Sequence, residues 1–180
     1  SRRQRLMCIR DRNSPVPVKV QLGAKGEGAG NIPEVAKKLA EESASEVEAL
    51  FDDNTRMAFI TAGMGGGTGT GAAPVVARIA KEKGVLTVGI VTIPFLFEGE
   101  PKILQAFAGV EEMRKHVDAL LVINNERLCK IYPDLSWTTA FAKADDSLSN
   151  AARSIAELVS KDGKINLDFA DVRTLSLIHI

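Results

Sequence analysis

The chain has 180 residues, and its 23 Lys and Arg balance 23 Asp and Glu, so no bulk field favours nucleic acid or an anionic membrane. An apolar fraction of 45% fits one ordinary globular domain with a single core. The longest apolar stretch, Val85 to Phe97, is broken by Thr87, Thr92 and Pro94 and is too short to span a bilayer, while Cys8 and Cys129 make neither a disulfide framework nor a paired metal-ligand spacing.

In chain order, the first segment, "RRQRLMCIRDR", shares no periodicity with the body of the chain, and neither does the last, "LSLIHI". "MCIRDR" is a translation of ATGTGTATAAGAGACAG and "LSLIHI" of CTGTCTCTTATACACATC, which are reverse complements of one sequencing-library transposon end; only Leu6 departs from that reading. Residues 1–12 and 175–180 are therefore expected to be non-native, adapter-derived tails, and the chain between them an internal fragment of a longer protein.

Val18 to Leu22 reads as a short strand, followed by the glycine-rich connection "GAKGEGAGN" into a helix with Pro33 and Glu34 in its first turn. That helix presents Val35 and Leu39, restarts at a capping box from Ser43 to Glu46, and continues with Val47, Leu50 and Phe51. Met57 to Ala62 reads as a fully buried strand, and a glycine run then opens a helix from Ala72 to about Lys83 with Gly84 at its C-terminus. Val85 to Ile93 is the next buried strand. After "PFLFEGEP" comes an amphipathic helix with Ile103, Leu104, Phe107, Val110 and Met113 on its apolar face, and then a strand from Ala119 to Ile123. "NNERLCKIY" is helical, with Cys129 expected to be buried, and Thr138 to Ser160 is a long helix. This alternation predicts an α/β fold, a parallel sheet covered by helices on both faces, with ligands beyond the carboxyl ends of the strands.

The stretch "GMGGGTGTGAAP" puts six glycines into nine positions where a strand meets a helix. Glycines let backbone N–H groups at a helix N-terminus come within hydrogen-bond distance of a phosphate, and Thr68 and Thr70 add hydroxyl donors. The competing reading is a flexible linker or a tight turn. No G-x-x-x-x-G-K-[ST] is present, which argues against P-loop nucleotide hydrolases. "GTGTGA" fits the degenerate G-x-G-x-x-G/A dinucleotide pattern, but the strand from Val85 ends at Pro94 without the acid a ribose contact wants, so a nicotinamide-dependent oxidoreductase of Rossmann type is the alternative.

"GGGTGTG" followed by "AAPVVARIAKEKGVLTVGIVTIPFLFEG", with the later "NLDFADVRT", resembles the signature of the FtsZ family, the bacterial tubulin-like cell-division GTPases. The similarity runs from Val18 to Thr174, and "LLVINNERL" resembles versions from the Bacteroidetes side. The resemblance implies a three-layer, Rossmann-like tubulin/FtsZ GTPase domain, incomplete at both ends. Residues 13–165 would be the GTP-binding domain lacking its first strand and loop, and 166–174 the synergy loop and start of the central helix. It further implies that Gly65, Gly66, Gly67, Thr68, Gly69 and Thr70 wrap the phosphates of GTP or GDP and that Gly28, Ala29, Gly30 and Asn31 sense the γ-phosphate. The "GAKGEGAGN" connection is a few residues shorter than in most relatives. Glu98 matches the family's ribose acid; without the resemblance it is a surface charge. Lys102 stands where many relatives carry an arginine, keeping the charge without the planar fork. Asn125 and Asp146 match the guanine-reading pair, an amide and a carboxylate complementary to that base; alone they are a cap residue and a solvated helix charge.

In "NLDFAD", Asp168 and Asp171 would share one helix face, which by itself is also an ordinary cap with a first-turn acid. The resemblance implies that they, with Asn166, act on the nucleotide of a neighbouring subunit, with Mg2+ as the accompanying cation, in a head-to-tail filament. It places the parent protein in the cytoplasm at the division site, with division proteins and membrane tethers reached through a missing C-terminal region. No nucleic acid and no direct membrane insertion are expected. A GTP-binding scaffold with poor turnover is the non-enzymatic alternative. The fragment alone is expected to be inactive, binding GTP weakly or not at all.

Overall fold

The computed structural model describes residues 17–23, 28–132, 134 and 136–160. The expectations for residues 1–12, 166–174 and 175–180, with Asn166, Asp168 and Asp171, lie outside the described residues. The described elements are α1 (Pro33–Glu42), α2 (Ala44–Glu48), β1 (Met57–Gly63), α3 (Gly67–Glu82), β2 (Leu86–Ile93), a 3-10 turn (Leu96–Glu98), α4 (Glu100–Lys115), β3 (Ala119–Asn124), α5 (Asn125–Ile131) and α6 (Trp137–Ser160).

The three strands form a parallel sheet in the order β1-β2-β3, with Gly63 opposite Thr92 and Ile93 opposite Asn124. All three therefore end at one edge. On β2, the consecutive residues Ile90 and Val91 point to opposite faces, and both are fully buried, so both faces of the sheet are covered. One side carries Val91 and Ile93 against Ala73 and Ala77 of α3 and Ala106 and Met113 of α4. α6 also contacts β2, and its Phe141 meets the ring of Phe95 edge-on. α1 packs behind α3: Ala36 and Ala40 join Val47, Ala72, Val75 and Ile79 in a second cluster. α3 is thus buried on two sides.

Several expectations need correction. Val18 to Leu22 is not a strand; it runs beside the second cluster, where Val20 and Leu22 pack, but an extended segment becomes a strand only through a ladder partner. β1 is half-buried rather than fully buried, and β3 is similar, because each forms an edge of the described sheet and only β2 has neighbours on both sides. On α1 the buried positions are the small Ala36 and Ala40, which allow close approach to α3, and Val35 is turned outward. Likewise α4 buries Ala106, Gly109 and Met113, leaving Leu104 and Phe107 exposed. Ser43 does precede a restarted helix, but its hydroxyl accepts no bond from that helix; it accepts the N–H of Gly23 at 2.9 Å. Cys129 is helical but only partly buried.

α3 begins at Gly67 rather than Ala72, five residues earlier than its propensities predict, with Pro74 inside it. Glycine in a first turn is intrinsically unfavourable by about 1 kcal/mol per residue. Packing overrides that cost, for reasons visible in the site.

Candidate nucleotide site

The loops after β1, β2 and β3 leave the sheet at the same edge, and the segment preceding α1 joins them there. The loop after β1 is continuous with the sheet, since Met64 donates its N–H to the carbonyl of Thr92 at 2.9 Å. Gly65 then takes φ 96°, a left-handed value, and any Cβ there would lie 2.8 Å from the carbonyl oxygen of Lys102. Gly66 is the N-cap of α3, and the exposed Thr68 lies in its first turn.

Three glycines of α3 face the protein itself. A Cβ on Gly69 would overlap the carbonyl oxygen of Gly63, and one on Gly71 the carbonyl oxygen of Pro33. On Gly67 it would come within 2.9 Å of Ala29 Cβ and of Ile32 N. The run of glycines thus lets the start of α3 press against the end of β1 and the start of α1. Its consequence for a ligand is indirect: two helix N-termini, each with unpaired N–H groups and partial positive charge, stand side by side.

Thr70, the second threonine of the loop, faces inward. It is buried, and its Oγ1 accepts the Gly65 N–H at 2.9 Å, so its side chain fixes the loop from inside. Of the two threonines, Thr68 is the one with an exposed side chain.

The segment before α1 is a four-residue turn in which Ile32 donates to the Ala29 carbonyl at 2.9 Å and Gly30 and Asn31 take φ 59° and 68°. Gly and Asn tolerate this left-handed geometry better than other residues do. Gly28, Gly30 and Asn31 are exposed, while Ala29 is buried against the second cluster.

After β2, Pro94 and Phe95 lead into the 3-10 turn. Glu98 accepts the Phe95 N–H at 3.1 Å with one oxygen and pairs with Lys102 Nζ at 3.2 Å with the other. The structure therefore brings these two expected nucleotide contacts together as an i,i+4 ion pair at the start of α4. A second acid, Glu126 of α5, accepts the Leu96 N–H at 3.1 Å. No sequence motif marks it, since its partner lies 30 residues away.

After β3, two asparagines divide their duties. Asn124 is the N-cap of α5, its side-chain oxygen accepting the Glu126 N–H at 3.0 Å. Asn125 is left without the capping role. It is 6% exposed, and its Oδ1 is a buried acceptor with no partner among the described residues. Such an atom costs about 1–3 kcal/mol unless something fills it, and a base with N–H donors on one edge would. Asp146 lies exposed on α6, which packs against α5, so the expected pair occupies neighbouring helices. Among the described residues no three His, Cys, Asp or Glu come together as a metal site, and no helix is long and apolar enough to cross a membrane.

Residues 3–133 match the model of the Tubulin/FtsZ family, GTPase domain. The cell division protein FtsZ of Porphyromonas gingivalis is 64% identical over 165 residues, covering 89% of this chain and 36% of that protein. A solved structure of an FtsZ mutant from M. jannaschii superposes with a TM-score of 0.84 at 45% identity, covering 91% of this chain and 50% of that one. An empty FtsZ dimer from the same organism gives 0.79 at 48% identity, over 84% and 44%. The chain thus spans between about a third and a half of the relatives it matches. The fold is that of the family's GTPase domain, and nothing in these likenesses supports the oxidoreductase alternative.

Proposed function

The chain belongs to the Tubulin/FtsZ family through its GTPase domain, and from that membership we propose that it forms the nucleotide-binding part of a GTP-hydrolysing, filament-forming cell-division protein. The observation that carries this reading is the pairing of two helix N-termini, each reached through a glycine-bearing loop, at the sheet edge where the buried, unpartnered side-chain oxygen of Asn125 also lies. The first feature suits a polyphosphate, the second a base that offers N–H donors.

In this reading the Gly65 to Thr70 backbone and the Thr68 hydroxyl hold the α- and β-phosphates, and the turn from Gly28 to Asn31 meets the γ-phosphate. Glu98, held rigid by Phe95 and Lys102, faces the ribose. Asn125 reads the guanine edge with Asp146. The charge of the triphosphate is met by helix termini and by Lys102. Mg2+ would accompany the phosphates and neutralise part of their charge. Hydrolysis requires Asp168, Asp171 and Asn166 of one copy to polarise and orient water at the nucleotide of the next. Head-to-tail contacts of that kind do not close and so build filaments, consistent with phosphoryl transfer as positioning plus charge stabilisation. The protein would work in the cytoplasm at the division site.

The test uses the complete reading frame that carries this sequence. Changing Asp168 or Asp171 to alanine should abolish GTP turnover while leaving nucleotide affinity unchanged. Undiminished turnover in both variants overturns the shared-site reading, and a wild-type protein that binds GTP but never turns it over favours the scaffold instead.

A further inference from the structure

Gln105 lies on the second turn of α4, outside the glycine-rich and acidic motifs, yet its side chain reaches both glycine loops. Its Nε2 donates to the Gly65 carbonyl at 3.1 Å and to the Asn31 carbonyl at 3.4 Å. The two acceptors are left-handed residues of their loops, with φ 96° and 68°. One amide nitrogen has two hydrogens, so it can serve both carbonyls at once.

The peptide group is planar and trans, so holding a carbonyl fixes the N–H of the next residue on the opposite side. By holding the Gly65 carbonyl, Gln105 sets the direction of the Gly66 N–H at the N-cap of α3. By holding the Asn31 carbonyl, it ties to α4 the peptide leading into Ile32, the N-cap of α1, whose N–H is already held within its own turn by the Ala29 carbonyl. Elsewhere the two loops meet through close van der Waals contact at Gly67, and the Ala29–Ile32 bond orders the first turn only within itself, so the Gln105 amide is what ties that turn's orientation to the loop after β1.

We infer that Gln105 is a positioning residue that couples the two phosphate loops, keeping the Gly28 to Asn31 turn ordered for the third phosphate before nucleotide arrives. The inference rests on the proposed nucleotide reading. Its distinctive consequence is selectivity: a diphosphate needs only the loop after β1, whereas a triphosphate needs both. Losing the strut leaves the first turn to be ordered at the moment of binding, and that cost falls on GTP alone.

The experiment measures GTP and GDP affinities by fluorescence titration in the complete reading frame, for wild type, Gln105→Met and Gln105→Lys. Met keeps the length and helix preference of Gln but donates nothing; Lys keeps donors. Gln105→Met should lower the ratio of GTP to GDP affinity by about 3- to 10-fold, the worth of one or two net hydrogen bonds, with Gln105→Lys recovering most of it. A general structural role would weaken both nucleotides equally and leave the ratio unchanged. That outcome, or a ratio unaltered in both variants, overturns the inference while leaving the nucleotide reading intact. A wild-type protein that binds neither nucleotide overturns both.

Discussion

The loop after β1 takes its shape from side chains that are absent, whereas the loop after β2 takes its shape from side chains that reach back to it. Around α3, Gly67, Gly69 and Gly71 leave room for backbone atoms of β1 and α1, and nothing larger fits. Around the 3-10 turn, the carboxylates of Glu98 and Glu126 accept the N–H groups of Phe95 and Leu96. The first arrangement is steric and has no partial substitute. The second is a set of separate hydrogen bonds, each removable at modest cost. The difference teaches which loop is made rigid through its backbone and which can be tuned side chain by side chain.

The largest effect should come from filling the absent volume. Gly71→Ala or Gly69→Ala drives a methyl into a backbone carbonyl, and a destabilisation of about 3 kcal/mol or more is expected by urea denaturation, even though alanine is intrinsically favoured in a helix by about 1 kcal/mol. Gly84→Ala is the control: it has φ 74° but nothing within 4 Å, so only backbone strain of about 1–2 kcal/mol applies. Equal costs at Gly71 and Gly84 would refute the steric account.

Thr70→Val comes next. It keeps the shape of the side chain but leaves the Gly65 N–H without its acceptor, a loss of about 1–3 kcal/mol. Thr70→Ser keeps the hydroxyl and should lose less. If the two variants prove equally stable, the bond does not shape the loop.

On the other side, Glu126→Ala should cost about 0.5–1.5 kcal/mol, with faster hydrogen exchange at the Leu96 amide and none of the global loosening expected of Gly71→Ala. Exchange unchanged at Leu96 would show that the acid does not hold the turn.

The smallest effect lies away from both loops. Lys115 donates to Glu112 at 2.6 Å and holds its carboxyl below the usual 4.5. A depressed carboxylate contributes stability that is present above 4.5 and lost as pH falls through its lower folded value. The pair is exposed, so Glu112→Gln should barely change stability at neutral pH and should slightly flatten its decline in acid, as followed by thermal melting across that range.

Much of the architecture is legible in the residues. The apolar runs of Met57 to Ala62, Val85 to Ile93 and Ala119 to Ile123 mark the three strands, because a strand of a covered parallel sheet is mainly apolar along its whole length rather than at alternate positions. Gly84 marks the end of α3, because only glycine accepts the left-handed exit readily. What misleads is local preference where packing overrules it: five glycine-rich positions look like loop yet form the first turn of α3, and Ser43 looks like a helix cap yet serves Gly23.

By itself the sequence determined the alternation of strands and helices, the glycine loop at a strand-to-helix junction and the family likeness, since each rests on short-range pattern or on local sterics. Only the tertiary structure decided which glycines face protein backbone and that Gln105 ties together carbonyls 74 and 40 residues away. Those choices depend on contacts between segments distant in the chain, and no periodicity within a segment encodes which atoms another segment will bring against it.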